Sequence, residues 1–244
     1  MENIETNGTH VTSFPPPVGE LEGASTLIFD LDGTLTNTLD DLHESVGHAL
    51  LEAGLPMCDK ADTRRFLGNG ARNLVFRSVE NVAPDASEEL KEKVLASFHE
   101  YYVLHSLDKT APYEGIMEML SECRKRGYIT AIVSNKPDPA VKVIHQKFFS
   151  NCIDLAIGET PSIRRKPSPD MVNEAIHQLS LLHNRTINLS DCIYIGDSEV
   201  DIQTAQNASL PCISVSWGFR DKDYLIQQGA GIIIDYPSDI FEKL

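Results

Sequence analysis

The sequence predicts an α/β fold, with a Rossmann-like parallel sheet as its core and a four-helix cap domain inserted into that core. Two patterns predict it. From residue 115 onward, short apolar strand patterns alternate with amphipathic helical patterns, as in a parallel sheet with helices on both faces. One more strand pattern, at residues 26–29, comes first, and the stretch between the two parts has helical periodicity alone. The helices between them therefore form an insertion.

Size, charge and cysteine content argue against several classes of protein. With 244 residues and 41% hydrophobic side chains, the chain can build a sizeable core. Its formal net charge of −15 argues against nucleic acid and against anionic membranes as partners. The five cysteines are scattered without a C-x-x-C pair, which fits neither a disulfide framework nor a zinc site and predicts a reducing, cytoplasmic location. No run reaches membrane-spanning length, and no secretory signal is visible at the N-terminus.

The helical insertion follows a polar N-terminal stretch and the first strand. Residues 1–24 include a run of three prolines and are predicted to form a flexible extension. Four helical patterns then follow one another, the second at residues 59–66 and the last from Ser87 to about His105. The predicted domains are the extension at residues 1–24, the α/β core at residues 25–39 and 113–244, and the helical cap at residues 40–112.

The remaining core elements alternate regularly along the chain. Strands are predicted at residues 129–133, 153–157, 192–195, 212–215 and 232–234. Helices are predicted at residues 116–126, 139–148, 169–182 and 198–207, with one more near Tyr224.

Two carboxylates end the first strand. Asp30 and Asp32 follow a buried β-branched run, and Gly33 and Thr34 then turn the chain sharply. Open α/β sheets place their ligands at the carboxyl ends of the strands. Acidic groups so close to a core strand are unfavourable unless a cation or hydrogen bonds satisfy them. This turn is therefore the first candidate for a functional site, although a solvated acidic turn is the alternative interpretation.

Further polar residues follow or lie close beyond the other core strands, so they are expected to meet the first pair at one edge of the sheet. They are Ser134, Asn135, Lys166, Asp197 and Asp201. Several carboxylates together need a divalent ion, and oxygen ligands of this type suit Mg²⁺, which often shares a substrate phosphate. A lysine and a hydroxyl beside them suit the oxygens of a phosphoryl group.

These segments make the chain resemble the haloacid dehalogenase superfamily, and within it the phosphoglycolate phosphatases. The stretch from Asp30 to Thr34 resembles the first motif of that superfamily, and Ser134-Asn135 the second. Lys166, between Arg165 and Pro167, resembles the third, and the stretch from Gly196 to Asp201 the fourth. Their order and strand context match over roughly residues 26–235, as four ordered motifs of one family would.

The resemblance implies a role for each residue. Asp30 is the expected nucleophile, which forms an aspartyl-phosphate, and Asp32 the expected general acid and base. Ser134 and the Asn135 backbone are expected to hold the phosphoryl group, with Gly33 and Thr34 beside it, and Lys166 to neutralise its charge. The expected ligands of Mg²⁺ are Asp30, the Asp32 backbone carbonyl and Asp197, with Asp201 ordering the metal shell.

The finer resemblance predicts 2-phosphoglycolate as the substrate, a small phosphorylated metabolite. The loop around Asn69 and Gly70 resembles the cap loop of phosphoglycolate phosphatases. Arg72 is a candidate to bind a carboxylate of the substrate, and the alternative is a solvated helix residue. The same branch includes pyrophosphatases, sugar-phosphate phosphatases, nucleotidases and a phosphoglucomutase, which stay open as alternatives. A binding module without turnover is the alternative from another class. The expected assembly is a monomer or homodimer, and Lys136 and Lys142 are expected to be solvated.

Overall fold

A parallel sheet of six strands forms the core, in the order β5-β4-β1-β6-β7-β8. This computed structural model describes residue 21 and residues 23–244. The predicted extension at residues 1–24 therefore lies almost entirely outside the described residues. The sheet, its surrounding helices and the helical insertion confirm the predicted α/β fold class.

The first strand lies at the centre of the sheet. It pairs in parallel with β4 on one side and with β6 on the other. Leu27 and Phe29 pack into one hydrophobic layer, whereas Ile28 between them packs into the layer on the opposite face. Successive side chains of a strand point to opposite faces, so an unbroken apolar run is what a strand covered on both sides requires.

The strands of the sheet are β1 (Thr26–Phe29), β4 (Ile129–Pro137), β5 (Leu155–Glu159), β6 (Cys192–Gly196), β7 (Cys212–Val215) and β8 (Ile232–Ile234). The helices of the core are α5 (Ile116–Lys125), α6 (Asp138–Ile144), α7 (Asp170–Leu182), α8 (Glu199–Asn207) and α9 (Lys222–Gln227). Helices α5 and α6 cover one face of the sheet, and α7 and α8 cover the other.

The insertion consists of four helices, called the cap from here on. They are α1 (Leu39–Glu52), α2 (Lys60–Phe66), α3 (Gly70–Val82) and α4 (Glu88–His105). They share their own apolar core, to which Phe98 contributes one of the largest fully buried side chains. Ser87 caps α4 by accepting a hydrogen bond from the Leu90 N–H, as its position in the sequence predicts. The exact domain boundaries stay a prediction.

A small antiparallel pair, β2 (Thr36–Asn37) and β3 (Ala111–Pro112), joins the two connections between cap and core. Asp41 at the start of α1 fixes the returning chain, because its carboxylate accepts hydrogen bonds from the Lys109 and Thr110 N–H groups. Strands of two residues carry no periodicity, so the sequence does not predict this pair.

Three core elements differ from their predicted bounds by two residues or more. The strand predicted at residues 153–157 is β5 (Leu155–Glu159), which begins and ends two residues later. Strand β4 continues four residues past the predicted end at Val133, with a shift of its register against β5. The helix predicted at residues 139–148 is α-helical only to Ile144 and ends in a π-helical turn, His145–Phe149. All five cysteines are free thiols, as predicted. Among the described helices, none has the length and apolarity that a membrane span requires.

Candidate active site

Lys166 joins two carboxylates at the carboxyl end of the sheet. Its Nζ donates to Asp30 Oδ1 at 2.7 Å and to Asp201 Oδ1 at 2.8 Å, and lies 3.0 Å from the Tyr194 hydroxyl. Burial acts to lower the pKa of Lys166, but the charges of Asp201 and Asp30 outweigh it and hold that pKa well above its ordinary value. The lysine therefore remains a cation inside the protein.

Asp30 itself is an unusual carboxyl group. It follows β1 directly, and its backbone N–H donates to the Ile195 carbonyl at 2.8 Å, so the two central strands fix its position. Burial raises the pKa of Asp30 to about 7, against the opposing charge of Lys166. Perturbed groups of this kind, facing a cavity, are typical of functional sites.

Asp197 follows β6 and lies in a tight cradle. One oxygen accepts from the Thr34 hydroxyl at 3.3 Å and the other from the Phe219 N–H at 2.7 Å. Gly33 has a φ of +93°, and a Cβ there would lie 2.4 Å from Asp197 Oδ2. The first-strand turn therefore needs glycine both for its backbone conformation and to admit this carboxylate.

Asp201 is saturated by donors from the protein. Its Oδ1 accepts from Lys166, and its Oδ2 accepts from the N–H groups of Asp197 and Ser198 and from the Ser198 hydroxyl. Ser198 and Asp201 together form a capping box at the start of α8. The arrangement places Asp201 where it orients the loop that carries Asp197.

Three carboxylates cluster here, and Asp30 and Asp197 are the two that can hold a hard cation while Asp201 orders their surroundings. Oxygens of Asp30, Asp197 and Asp201 all lie within 4.8 Å of one another, and all three residues are buried. Burial raises the pKa of Asp197 well above its ordinary value, as it does for Asp30, because negative charge is unfavourable here without compensation. A donor set made only of oxygens fits Mg²⁺.

The second predicted motif forms the neighbouring wall. Ser134 lines the same cavity as Asp30 and Asp32. The Asn135 side chain accepts from the Lys166 N–H at 2.9 Å and donates to the Lys166 carbonyl at 3.0 Å, which fixes the loop that carries the lysine. It also donates to the Gly68 carbonyl of the cap at 3.2 Å. Asn135 therefore links the core to the cap loop.

Lys136 is the functional candidate that the sequence interpretation missed. The expectation that it is solvated is wrong: the residue is 5% exposed, and its Nζ donates to Asp32 Oδ1 at 2.9 Å and Oδ2 at 3.1 Å. Burial acts to lower the pKa of Lys136, but the Asp32 charge outweighs it, so the pKa is raised. Lys142, by contrast, is half exposed.

A cavity of about 60 Å³ lies between the core and the cap. Asp30, Asp32, Ser134, Asn135, Lys136 and Lys166 line it from the core. The cap covers it with mainly apolar side chains, among them Leu42, Leu67, Leu74 and Phe98, together with Tyr102 and His99. The cap is therefore closed over the carboxylates, and the cavity has a polar floor and an apolar roof.

The cap residues predicted to bind substrate lie in different places. Gly70 lines the cavity, whereas Asn69 and Arg72 are not among the residues that line it. The Arg72 guanidinium pairs with Glu88 at 3.2 Å and Glu92 at 2.5 Å within the cap. Its contact with a substrate carboxylate therefore stays a prediction that this closed arrangement does not display.

Two arginines fasten the cap loop to the core. Arg220 of the core is 8% exposed, pairs with Glu199 at 2.8 Å and donates to the Leu67 carbonyl of the cap at 2.8 Å. Arg64 of the cap donates in return to the Phe219 carbonyl at 2.8 Å. Because the Phe219 N–H donates to Asp197, these hydrogen bonds between cap and core are directly connected to the carboxylate cluster.

The chain belongs to the family of haloacid dehalogenase-like hydrolases, whose family model matches residues 27–215. The predicted resemblance is thereby confirmed, and the chain is an enzyme. It is 34% identical over 198 residues to the phosphoglycolate phosphatase of Rhodobacter capsulatus, covering 81% of this chain and 86% of the relative. With the phosphoglycolate phosphatase of Mesorhizobium japonicum the identity is 31% over 199 residues, covering 80% and 84%.

A crystal structure of a candidate phosphoglycolate phosphatase from Lactobacillus delbrueckii subsp. bulgaricus has the same fold. It superposes with a TM-score of 0.85 at 33% identity, over 90% of this chain and 98% of that one.

Proposed function

We propose that this phosphatase hydrolyses 2-phosphoglycolate to glycolate and phosphate, with Mg²⁺ and through an aspartyl-phosphate on Asp30. One observation carries the proposal: Asp30 and Asp32 face a closed cavity together, each paired with a buried lysine. The two bacterial phosphoglycolate phosphatases support the choice of substrate, since this chain spans most of their length.

The reaction proceeds in two displacements at phosphorus. A carboxylate oxygen of Asp30 attacks, the bond from phosphorus to the ester oxygen breaks, and Asp32 gives that oxygen a proton. Asp32 then takes a proton from a water molecule, whose oxygen attacks the phosphorus and releases phosphate from Asp30. The closed cap keeps bulk water away from the first step.

Nearby groups stabilise charge on the phosphoryl oxygens. Lys166 supplies a buried positive charge next to Asp30, and Ser134 supplies a hydroxyl on the same wall. The side chains of Asp30 and Asp197 and the backbone carbonyl of Asp32 would hold Mg²⁺, and Asp201 would order that loop. When bound, the ion offsets the repulsion between the carboxylates and the phosphate dianion.

The enzyme is proposed to work in the cytoplasm as a monomer or homodimer. Five free thiols, four of them buried, support a reducing compartment. The bacterial relatives, which are phosphoglycolate phosphatases, support a small phosphorylated metabolite as the partner rather than a nucleotide.

The test is a comparison of kcat/KM among phosphorylated metabolites in the presence of Mg²⁺. The panel contains 2-phosphoglycolate, pyrophosphate, a hexose phosphate and a nucleoside monophosphate. We expect 2-phosphoglycolate to lead by at least about tenfold, a difference of about 1.4 kcal/mol in transition-state binding. A higher kcat/KM for any other member would overturn the choice of substrate.

A further inference from the structure

Tyr102 carries a buried hydroxyl group whose proton has no acceptor within the described part of the closed protein. The residue is 5% exposed and lines the cavity from helix α4 of the cap. Among the described residues, its hydroxyl group meets hydrogen-bond geometry with no partner, and its close neighbour Lys136, which it helps to keep charged, is a cation that cannot accept its proton. Burial raises the pKa of Tyr102 to about 12, so the group keeps its proton and remains a donor. A buried donor without a partner is unfavourable, which points to a ligand that supplies one.

Lys136 lies directly below this hydroxyl-bearing ring. Its Nζ is 4.9 Å from the centroid of the Tyr102 ring and, on its other side, donates to both oxygens of Asp32. An ammonium group has three donors. The lysine therefore occupies the space between the proposed general acid and the cap, and it adds a positive charge there.

The remaining roof of the cavity offers little that could recognise a polar leaving group. Leu42, Leu67, Leu74 and Phe98 are apolar, and His99 lies on an exposed part of α4. The groups around Asp30 are already committed to the phosphoryl group in the proposed reaction. Lys136 and Tyr102 are thus the polar pair that is left for the other half of the substrate.

We propose that Lys136 and Tyr102, in place of Arg72, bind an anionic group on the leaving half of the substrate, and that this group is the carboxylate of 2-phosphoglycolate. In that molecule a single methylene separates the ester oxygen from the carboxylate carbon. An ester oxygen next to Asp32 therefore brings the carboxylate beside the partner of Asp32, which is Lys136. This inference rests on the proposed function, because it assumes that the phosphoryl group lies next to Asp30.

The assignment also predicts which substrates the enzyme rejects. A leaving group that ends in a methyl group leaves the Tyr102 hydroxyl without an acceptor and leaves Lys136 with Asp32 alone. Rejection by unpaired buried polar groups is stronger than rejection by a missing apolar contact. The substrate class is therefore phosphate monoesters of small hydroxy acids.

The first test compares 2-phosphoglycolate with ethyl phosphate, which replaces the carboxylate by a methyl group. Tyr102→Phe removes only the hydroxyl, and we expect kcat/KM for 2-phosphoglycolate to fall about tenfold while that for ethyl phosphate changes less than about twofold. Tyr101→Phe is the matched control, since the Tyr101 ring stacks between His48 and His105 rather than lining the cavity. It should change neither value.

Lys136→Met is expected to impair both substrates, because Asp32 loses its partner. The loss should nevertheless be about tenfold larger for 2-phosphoglycolate than for ethyl phosphate, the scale of a lost hydrogen bond to a charged group. Equal losses of kcat/KM on both substrates in both variants would overturn the inference. They would show that Lys136 and Tyr102 support the site without contacting the carboxylate of the substrate.

Binding to an Asp30→Asn protein separates this inference from the proposed function. By calorimetry with Mg²⁺, 2-phosphoglycolate should bind at least about tenfold more tightly than ethyl phosphate, and Tyr102→Phe should remove most of that preference. If the preference is found but the wild-type enzyme does not hydrolyse 2-phosphoglycolate, the proposed function fails and the subsite stands. If the wild-type enzyme hydrolyses it but binding shows no preference, the subsite fails and the function stands.

Discussion

The position of Asp197 is fixed by two backbone segments that approach its carboxylate closely. Gly33 and Gly218 flank Asp197, and a Cβ on either one would lie within 2.5 Å of an Asp197 side-chain atom. Asp197 is therefore held by its surroundings as well as by its two hydrogen bonds. The position of one carboxylate depends on two turns that are far apart in the chain.

We predict that Gly33→Ala lowers kcat/KM by at least about tenfold, because the new methyl group must displace Asp197. Gly54→Ala is the matched control: its φ is +74°, but nothing lies within 4 Å of the added Cβ. Both changes carry the backbone strain of a positive φ, about 1 kcal/mol of stability. Steady-state kinetics and urea unfolding of the two variants separate strain from displacement. Equal kcat/KM values in both variants would contradict the explanation.

Among the elements, strands and helices are predicted well where apolar runs or helical spacing are bounded by clear start and stop residues. The cap helices α2 and α4 and the strands β7 and β8 have the predicted bounds to within one residue. The burial of Lys136 is not predicted, because β4 continues past Val133 with an irregular register. An irregular register turns side chains in directions that alternation along the chain does not reveal. The burial of this lysine depends on Asp32 and Tyr102, which are distant in sequence.

The hydrogen bonds that hold the cap against the core are a second feature that the sequence does not predict. Arg220 and Glu199 form a pair that is mostly buried, and the arginine reaches two carbonyl groups of the cap. Glu199 lies within the fourth motif, but the motif does not reveal its pairing with Arg220, because the two residues meet only when the loop before α9 packs against helix α8.

We expect Arg220→Met to destabilise the protein by about 3 kcal/mol, since it leaves Glu199 and the cap carbonyls without their donor. The control is Arg164→Met, which removes an arginine whose side chain is 79% exposed and pairs with Asp170. That change should cost far less than Arg220→Met, because a solvent-exposed ion pair contributes little. The measurement is the free energy of unfolding in urea, and losses of the same size in both variants would show that the Arg220 pair adds no more than a surface ion pair.

At the scale of the whole molecule, parallel strands bring the site together. Because β1, β4 and β6 are neighbours and point the same way, Asp30, Ser134 and Asp197 emerge at one edge of the sheet. That convergence follows from the order of strand patterns and could be predicted. The closure of the cap could not, because it depends on side-chain contacts between residues about 150 positions apart, such as Arg64 and Phe219.

We predict that Mg²⁺ stabilises the folded protein through the carboxylate cluster. Saturating Mg²⁺ should raise the melting temperature by roughly 5 °C, since a ligand at about 100 times its Kd adds about 2.7 kcal/mol. Asp197→Asn should abolish this increment, whereas the exposed Asp223→Asn should keep it. Excess EDTA should abolish turnover, and Ca²⁺ should support binding without turnover. An equal increment in all three proteins would place the ion elsewhere.

The proposed reaction depends on the attack of Asp30 on the phosphoryl group of the substrate. The most direct measurement is the kcat of Asp30→Asn with 2-phosphoglycolate and Mg²⁺, in a protein whose circular dichroism and melting curve show that it is folded. The substitution keeps the size of the side chain but removes the nucleophile. We predict a loss of at least about 1,000-fold, or about 4 kcal/mol of barrier. Activity within about tenfold of the wild-type enzyme would contradict this role of Asp30.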